Sequence, residues 1–513
     1  MENRFKESLL DKNTMSVTWE VVPGRGAREK AQESALAAAE AAAKGGKVHA
    51  ITITDNPGGN PAILADYLGM DILKLGIEPL VHFTCKDKNR NQMESQLYAL
   101  DRAGVRNLLV MTGDYPVSGF QGRPKPVFDL DPTHALELIA DMNKGLEIPG
   151  VKGPIYHQKS DFFAGAAVSP FKANEAELMI QYYKMKKKIA GGAQFIVTQL
   201  GYDARKFHEV LQYLKVNNID IPVVGNIYIL PFGAARLMNS NALPGCVVTD
   251  KLVAELDQER TAEDKGVGAR LLRAAKMYAF MKGMGFAGVH IGGHGIKYEQ
   301  VEYIIDKGEE LSKNWQDLLP EFDYPQKNGF YYFEKDTTTG LNTDTPVNRK
   351  GLPLDAPVGA GYRMMRMMHG LAFEPGKGMF GVMQSFYETR KDNKAHTLEH
   401  VCKVITNDCK DCGDCALLDM AYLCPMSQCP KNQRNGACGG SYDGWCEVYP
   451  NEKKCVWVRA YARLKEYGEE NQLDEMRIPP ANWNLYQTSS WSNFYLGKDH
   501  SAHKVNYQKK DNK

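Results

Sequence analysis

Long apolar runs are missing from this sequence. No window of the 513-residue chain approaches 18 uninterrupted apolar residues, and its first twenty, MENRFKESLLDKNTMSVTWE, hold no apolar stretch of signal-peptide length. A membrane span and a secretory leader are therefore not expected, and the cytoplasm is the expected compartment. An excess of either charge is missing too: 63 Lys and Arg stand against 62 Asp and Glu, a net +1. A chain so near neutrality does not hold nucleic acid by bulk charge, although a local basic pocket for phosphates or a polyglutamate tail stays open. No GxGxxG follows the first strand-like segment, which counts against an open dinucleotide-binding sheet. No internal repeat is present beyond an alternation of strand-like and helix-like segments. Cysteine is nearly absent from the first 400 residues, where Cys85 and Cys246 stand alone; the other nine of the eleven crowd between Cys402 and Cys455. In a reducing compartment such a crowd reads as metal ligands rather than as a disulfide framework.

What is present is enough apolar residue, 43%, for a large core in two to four domains. Eight short apolar or β-branched segments bounded by Gly, Pro or Asp read as strands: 16–22, 48–54, 79–84, 107–112, 162–169, 194–200, 221–230 and 288–292. Between them, 27–44, 91–103, 134–143 and 174–189 read as helices, the last three by apolar residues at three- and four-residue spacing, and two more around 251–260 and 262–284 precede the last strand. Eight β units with intervening helices within about 300 residues favour an α/β fold of the closed (βα)8 TIM-barrel kind, with an open doubly wound sheet as the rival. The expected organisation is a barrel over 1–310, a connecting region over 311–394, a cysteine-rich metal-binding domain over 395–470 and a tail over 471–513, mobile from about Gly497. Within the connecting region, 336–357 is rich in Thr, Asp, Gly and Pro and reads as loop. The Met-dense YRMMRMMH at 362–369 reads as packing material.

Chemistry in such a barrel sits at the C-terminal ends of the strands. The first strand ends at Glu20, the second offers Thr52 and Thr54, the third carries His82, and the fourth runs into Gly113 and Asp114. The sixth ends at Gln199, and the eighth contributes His290 with His294 just beyond. Each alone has a bland explanation as a helix cap, a core histidine or a loop closure. Their convergence on one rim points to an active site.

The segments TWEVVP, HAITITDN, VHFTC, VMTGDYP and KKKIAGGAQFIVTQ, in this order over about residues 14–310, resemble the methylene-tetrahydrofolate reductase family. The resemblance implies that Glu20 is the general acid, and that Asp114 lies beside the pyrimidine end of a flavin, influencing its potential and folate binding. It further implies that Gln199 contacts folate and that Thr52, His82, Gly113 and Lys188 contact the flavin, usually FAD, in the barrel mouth. These residue types suit the chemistry. Opening the five-membered ring of methylene-tetrahydrofolate needs a proton on one nitrogen before the carbon accepts a hydride, and a buried carboxyl of raised pKa can supply it. The chain departs from the family pattern at Gly165, where a flavin-stacking Tyr is common, and at Ser169, where His is common. Lys184 and Lys187 stand where Asn and Arg are frequent, and GVHIGGHGIK lacks the usual aromatic and Arg folate contacts. FMN therefore stays open beside FAD.

The cysteine spacing is Cys402, Cys409-x2-Cys412-x2-Cys415, Cys424-Pro, Cys429-Pro, Cys438, Cys446 and Cys455. A C-x2-C-x2-C run with a later Cys-Pro suits cubane iron–sulfur ligation, and nine cysteines can supply eight thiolates for two [4Fe-4S] clusters; zinc is the alternative. The string from Cys424 to Trp457 resembles the cysteine-rich C-terminal domain found with some bacterial methylene-tetrahydrofolate reductases. That resemblance implies a partner domain able to pass electrons to the flavin, so the expected donor is NAD(P)H or a redox protein. A homo-oligomer is left open. The competing readings are a flavin-free pterin- or corrinoid-linked methyl-transfer module and a mainly electron-relay protein.

Overall fold

A computed structural model describes residues 3–390 and 394–505. Eight parallel strands close into a barrel: β1 (Ser16–Val21), β2 (Ala50–Ile53), β3 (Glu78–Thr84), β4 (Asn107–Met111), β7 (Phe163–Val168), β8 (Phe195–Thr198), β9 (Val223–Tyr228) and β10 (Gly288–Gly292). The ring runs β1-β10-β9-β8-β7-β4-β3-β2, with Ser16 opposite Gly288 and Thr18 opposite Ala50 where the ends meet. The short antiparallel pair β5 (Glu147–Ile148) and β6 (Ile155–Tyr156) lies within the crossover from β4 to β7. The strands are apolar on both faces because one side lines the barrel and the other meets a helix. That is why they stand out in the sequence as short apolar runs. The helices Ala65–Lys74 and Ala204–Val216 fill crossovers that the apolar spacing had not marked.

The barrel interior is closed at its N-terminal end by a helix, Arg4–Leu10, that the sequence does not announce. Phe5 and Leu9 enter a cluster with Ala50, Leu80, Leu109, Phe163, Phe195, Val197 and Val224. The Phe5 ring, fully buried, meets Phe163 and Phe195 edge-on at 5.9 and 5.5 Å. Asn3 Nδ2 donates to Asn107 Oδ1 at 2.7 Å and fixes the plug's entry. Truncation of Phe5 to Ala is expected to cost about 3–5 kcal/mol, measured as a fall in the denaturant midpoint at unchanged m-value.

The connecting region wraps back onto the barrel. A strand, β12 (Asn342–Pro346), forms inside the stretch read as loop and pairs antiparallel with β11 (Phe333–Lys335). The hairpin is pinned by Arg205, whose Nη2 donates to Phe333 O at 2.8 Å, and by Asn342 Nδ2, which donates to Arg205 O at 2.8 Å. The Met-dense segment forms the helix Ala360–Ala372 but is not packing material: Met364, Met367 and Met368 are exposed, and the helix seats through Tyr362. Its arginines reach Glu466 and Glu469, which turns the methionine side outward. Residues 471–505, polar in composition, carry the helices Gln472–Glu475, Ser490–Tyr495 and Ala502–Val505. Tyr495 is wholly buried against Phe380, Tyr387 and Phe494. The start of the expected mobile stretch is likewise held, with His500 between Asp414 and Asp419; residues 506–513 fall outside the described residues.

The helix Glu175–Ala190 joins the two halves. It is buried nearly all round, because the barrel takes one side and the helices Val456–Lys465 and Gln472–Glu475 take the other. Tyr461 donates to Glu175 at 2.7 Å and Tyr183 to Asn471 at 3.0 Å. No helix of the described residues is long and apolar enough to cross a membrane.

Candidate active site

Glu20, next to last in β1, has its side chain 23% exposed and faces His290 of β10: Nε2 and Oε2 are 3.3 Å apart. The other ring nitrogen of His290 lies 3.0 Å from Thr18 Oγ1 and 3.5 Å from Thr52 Oγ1, so the imidazole is held between β1 and β2. Burial pushes the Glu20 carboxyl up, but the His290 hydrogen bond, the His290 charge and a lesser contribution from His82 outweigh it. The net pKa lies below the ordinary glutamate value. This corrects the expectation of a raised pKa: strand alternation shows that Glu20 is partly buried but not that a histidine faces it. His82, on β3, is pushed down to about 4 by burial, against the opposing pull of Glu20.

The other expected residues are on the same rim. Asp114 is exposed and accepts from Gly58 N at 2.7 Å. Gly113 holds φ +84°, and an added Cβ would meet Thr84 Cβ and Lys86 Cδ at 2.9 Å, so only glycine fits there. Gln199 folds its Oε1 onto Leu200 N at 2.8 Å, and its Nε2 lies 3.6 Å from where a Cβ on Gly245 would stand. Cys246, next to Gly245, has its thiol pushed up to about 12 by burial first and then by Asp114, with a smaller push from Glu20. Cys246 is thus within electrostatic reach of Asp114 and Glu20, and Gln199 adjoins Gly245. Thr54 Oγ1 and His82 Nε2 are buried at this mouth with no hydrogen-bond partner among the described residues. Such orphans suit the polar edge of a bound heterocycle.

One side of the mouth is covered by the cysteine-rich domain. Lys431 Nζ donates to Gly113 O at 2.8 Å, and Thr112 Oγ1 donates to Gln433 Oε1 at 3.0 Å. Lys184 Nζ is bound by Gln433 Oε1, Gly436 O and Ala437 O at 2.7, 2.9 and 3.2 Å. Lys172 Nζ donates to Gly439 O and Ser441 O, and Asn435 N donates to Asp131 Oδ2 at 2.9 Å. Lys187 lies 5.9 Å from the Trp457 ring centroid. Lys188 is buried with Nζ on Ala167 O at 2.6 Å; burial, then the neighbouring Lys184 charge, push its ammonium down to about 7. Sequence reasoning marked Lys184 and Lys187 only as departures from a pattern. Their partners lie some 250 residues away, and the polar run KNQRNGA between Cys429 and Cys438 carries no signature of its own.

Eight of the nine clustered cysteines gather in two sets. Cys409, Cys412, Cys415 and Cys424 stand close enough to act on one another's charge; burial first, and then Cys415 and Cys424, push Cys412 up to about 12. Cys429, Cys438, Cys446 and Cys455 line one cavity, with Lys431, Glu447 and Trp457 among its other walls. Cys402 is exposed on the helix Lys394–Asn407 and belongs to neither set. None of the eleven cysteines is joined in a disulfide, and among the described residues no group of three or more His, Cys, Asp or Glu stands arranged to hold a single metal ion.

Residues 5–301 match the family described as Methylenetetrahydrofolate reductase, and residues 388–484 the one described as Methylene-tetrahydrofolate reductase C terminal. Among curated proteins, Methylenetetrahydrofolate reductase 2 of Saccharomyces cerevisiae is 25% identical over 198 residues, covering 36% of this chain and 30% of its own. The 5,10-methylenetetrahydrofolate reductase of Pectobacterium carotovorum is 24% identical over 154 residues, 30% of this chain and 44% of its own. The matched region thus spans less than half the length of these relatives. Among solved structures, an uncharacterised Clostridium thermocellum protein that binds two copies of 5-methyl-5,6,7,8-tetrahydrofolic acid aligns with a TM-score of 0.43 at 14% identity, over 60% of this chain and 99% of that one.

Proposed function

The chain belongs to the methylenetetrahydrofolate reductase family, and on that premise we propose that it interconverts 5,10-methylene- and 5-methyl-tetrahydrofolate at the barrel mouth with a bound flavin. The observation that carries this reading is the Glu20–His290 pair on a rim shared with Asp114 and Gln199. Thr52, His82, Gly113 and Asp114 would hold the flavin ring end, where the orphaned His82 Nε2 and Thr54 Oγ1 fit a polar heterocycle. Bound there, a flavin supplies hydride transfer.

The protein's own task is the proton. Thr18 fixes the His290 ring so that its other nitrogen faces Glu20. In the free protein Glu20 is held as carboxylate, so the proton that opens the folate ring reaches the substrate nitrogen through the Glu20–His290 pair rather than from an isolated carboxylic acid. Gln199, its amide plane set by Leu200 N, is placed to orient the pterin. His290→Leu removes both main influences that lower the Glu20 pKa and leaves burial, which raises it. The limb of the kcat/KM–pH profile that reports Glu20 is therefore expected to move to higher pH in that variant, with Glu20→Gln lacking the limb altogether.

The cover over the helix Glu175–Ala190 bears on the length of the flavin. The resemblance implies FAD, with Lys188 among its contacts. Here Lys184 is satisfied by carbonyls of residues 436 and 437, and Lys188 is buried on Ala167 O, so the shorter FMN fits better than a flavin with an adenylate arm. Flavin released by heat from yellow, purified protein is expected to co-migrate with FMN. Recovery of FAD would mean that residues 431–441 lift from the barrel, and colourless, flavin-free protein would favour the methyl-transfer reading.

The two four-cysteine sets suit thiolate-ligated [4Fe-4S] clusters, with zinc as the other candidate. The second set adjoins the loop that covers the mouth, through Lys431 and Gly113, which makes it the entry for electrons from a redox protein or NAD(P)H.

A further inference from the structure

The two cysteine sets differ in the charged side chain that contacts a sulfur. In the first, Lys403 reaches from the helix Lys394–Asn407 and donates from Nζ to Cys415 Sγ at 3.7 Å. Its side chain is 9% exposed, and its ammonium is fixed by Glu399 Oε1 at 2.7 Å and by Ser490 Oγ, with the Trp491 ring centroid 5.5 Å away. Glu399, 3% exposed, is itself held by Ser489 and Ser490 hydroxyls and by the Trp491 backbone N–H, so the lysine's direction is set by a second layer of bonds. In the second set a carboxylate touches a sulfur: Glu447 Oε2 is 3.3 Å from Cys438 Sγ, with Lys431 paired to the same carboxylate on its other oxygen, and backbone N–H groups bond Cys429, Cys438, Cys446 and Cys455.

A buried N–H donor and positive charge at a ligating sulfur favour the reduced, more negative state of an iron–sulfur cluster, and a carboxylate disfavours it. We propose that Lys403 is a positioning residue that raises the reduction potential of the first cluster. The inference rests on the iron–sulfur reading above. Each cluster gains one electron on reduction, and at the Cys409–Cys424 set the Lys403 ammonium offsets part of the negative charge that this electron brings.

The test is a redox titration of anaerobically purified full-length protein, with dithionite as reductant, followed by the EPR signal of the reduced clusters. Wild type is expected to show two midpoints. Lys403→Met is expected to lower one midpoint and leave the other in place, and Lys403→Arg to restore it. Should Lys403→Met lose iron, Glu399→Gln keeps the test open: it removes the neutralising carboxylate and is expected to raise the same midpoint. Unmoved midpoints at unchanged iron content, in both Lys403→Met and Glu399→Gln, overturn the role of Lys403 alone. Zinc in place of iron overturns the cluster reading and the role together.

Discussion

Glu20→Gln is expected to lower methylene-tetrahydrofolate turnover by about two to four orders of magnitude, the usual worth of a positioned proton donor, while the flavin stays bound. The substitution keeps the size and the partial exposure of the side chain, so β1 and its pairing to β2 and β10 are left alone. What is lost is the group that passes a proton between His290 and the substrate. The amide still offers an N–H toward His290 but cannot deliver and regain a proton during a cycle. Flavin content is the internal control, because no flavin contact proposed above passes through Glu20. Activity assayed against flavin-normalised protein therefore separates a proton defect from a binding defect. Turnover within about threefold of wild type would remove Glu20 from the chemistry, since a single ordinary hydrogen bond already accounts for an effect of that size.

Cys438→Ser is expected to take iron and acid-labile sulfide from about eight per chain to about four, and to cut turnover driven by the physiological donor by at least about tenfold. Cys438 is part of the cavity-lining set and sits just ahead of Gly439, whose carbonyl binds Lys172. Loss of the second cluster therefore also loosens the strap over the barrel. With reduced viologen supplied directly, turnover should persist, because the proton machinery of β1 and β10 is untouched. A variant that loses activity equally with both donors would instead mean that residues 431–441 build the substrate site itself.

Much of the barrel could be read from the chain because burial on both strand faces leaves short, largely apolar runs. The segments 288–292 and 107–112 illustrate it: their observed strands match to within a residue. The rim residues were legible for a geometric reason, since a residue at the C-terminal end of a parallel strand has few places to go. What could not be read depends on contacts between distant residues. Phe5 becomes the barrel plug only because Phe163 and Phe195 leave a gap of its shape. The sign of the Glu20 shift depends on His290, 270 positions away. Lys431 and Gly113 are 318 positions apart, and neither side of that contact has a local pattern that names the other. The exposed face of 364–368 shows the limit of composition: methionine suits a core, but the arginines interleaved with it decide which side of the helix turns inward.

The central claim is that reduced flavin in this barrel hands a hydride to methylene-tetrahydrofolate while Glu20 and His290 supply the proton. Anaerobic stopped-flow mixing of the photoreduced protein with 5,10-methylene-tetrahydrofolate addresses it in a single turnover. The oxidised flavin band is expected to return with formation of 5-methyl-tetrahydrofolate, and to return slowly in Glu20→Gln. A flavin that stays reduced in the wild-type protein, with no methyl product, would contradict it.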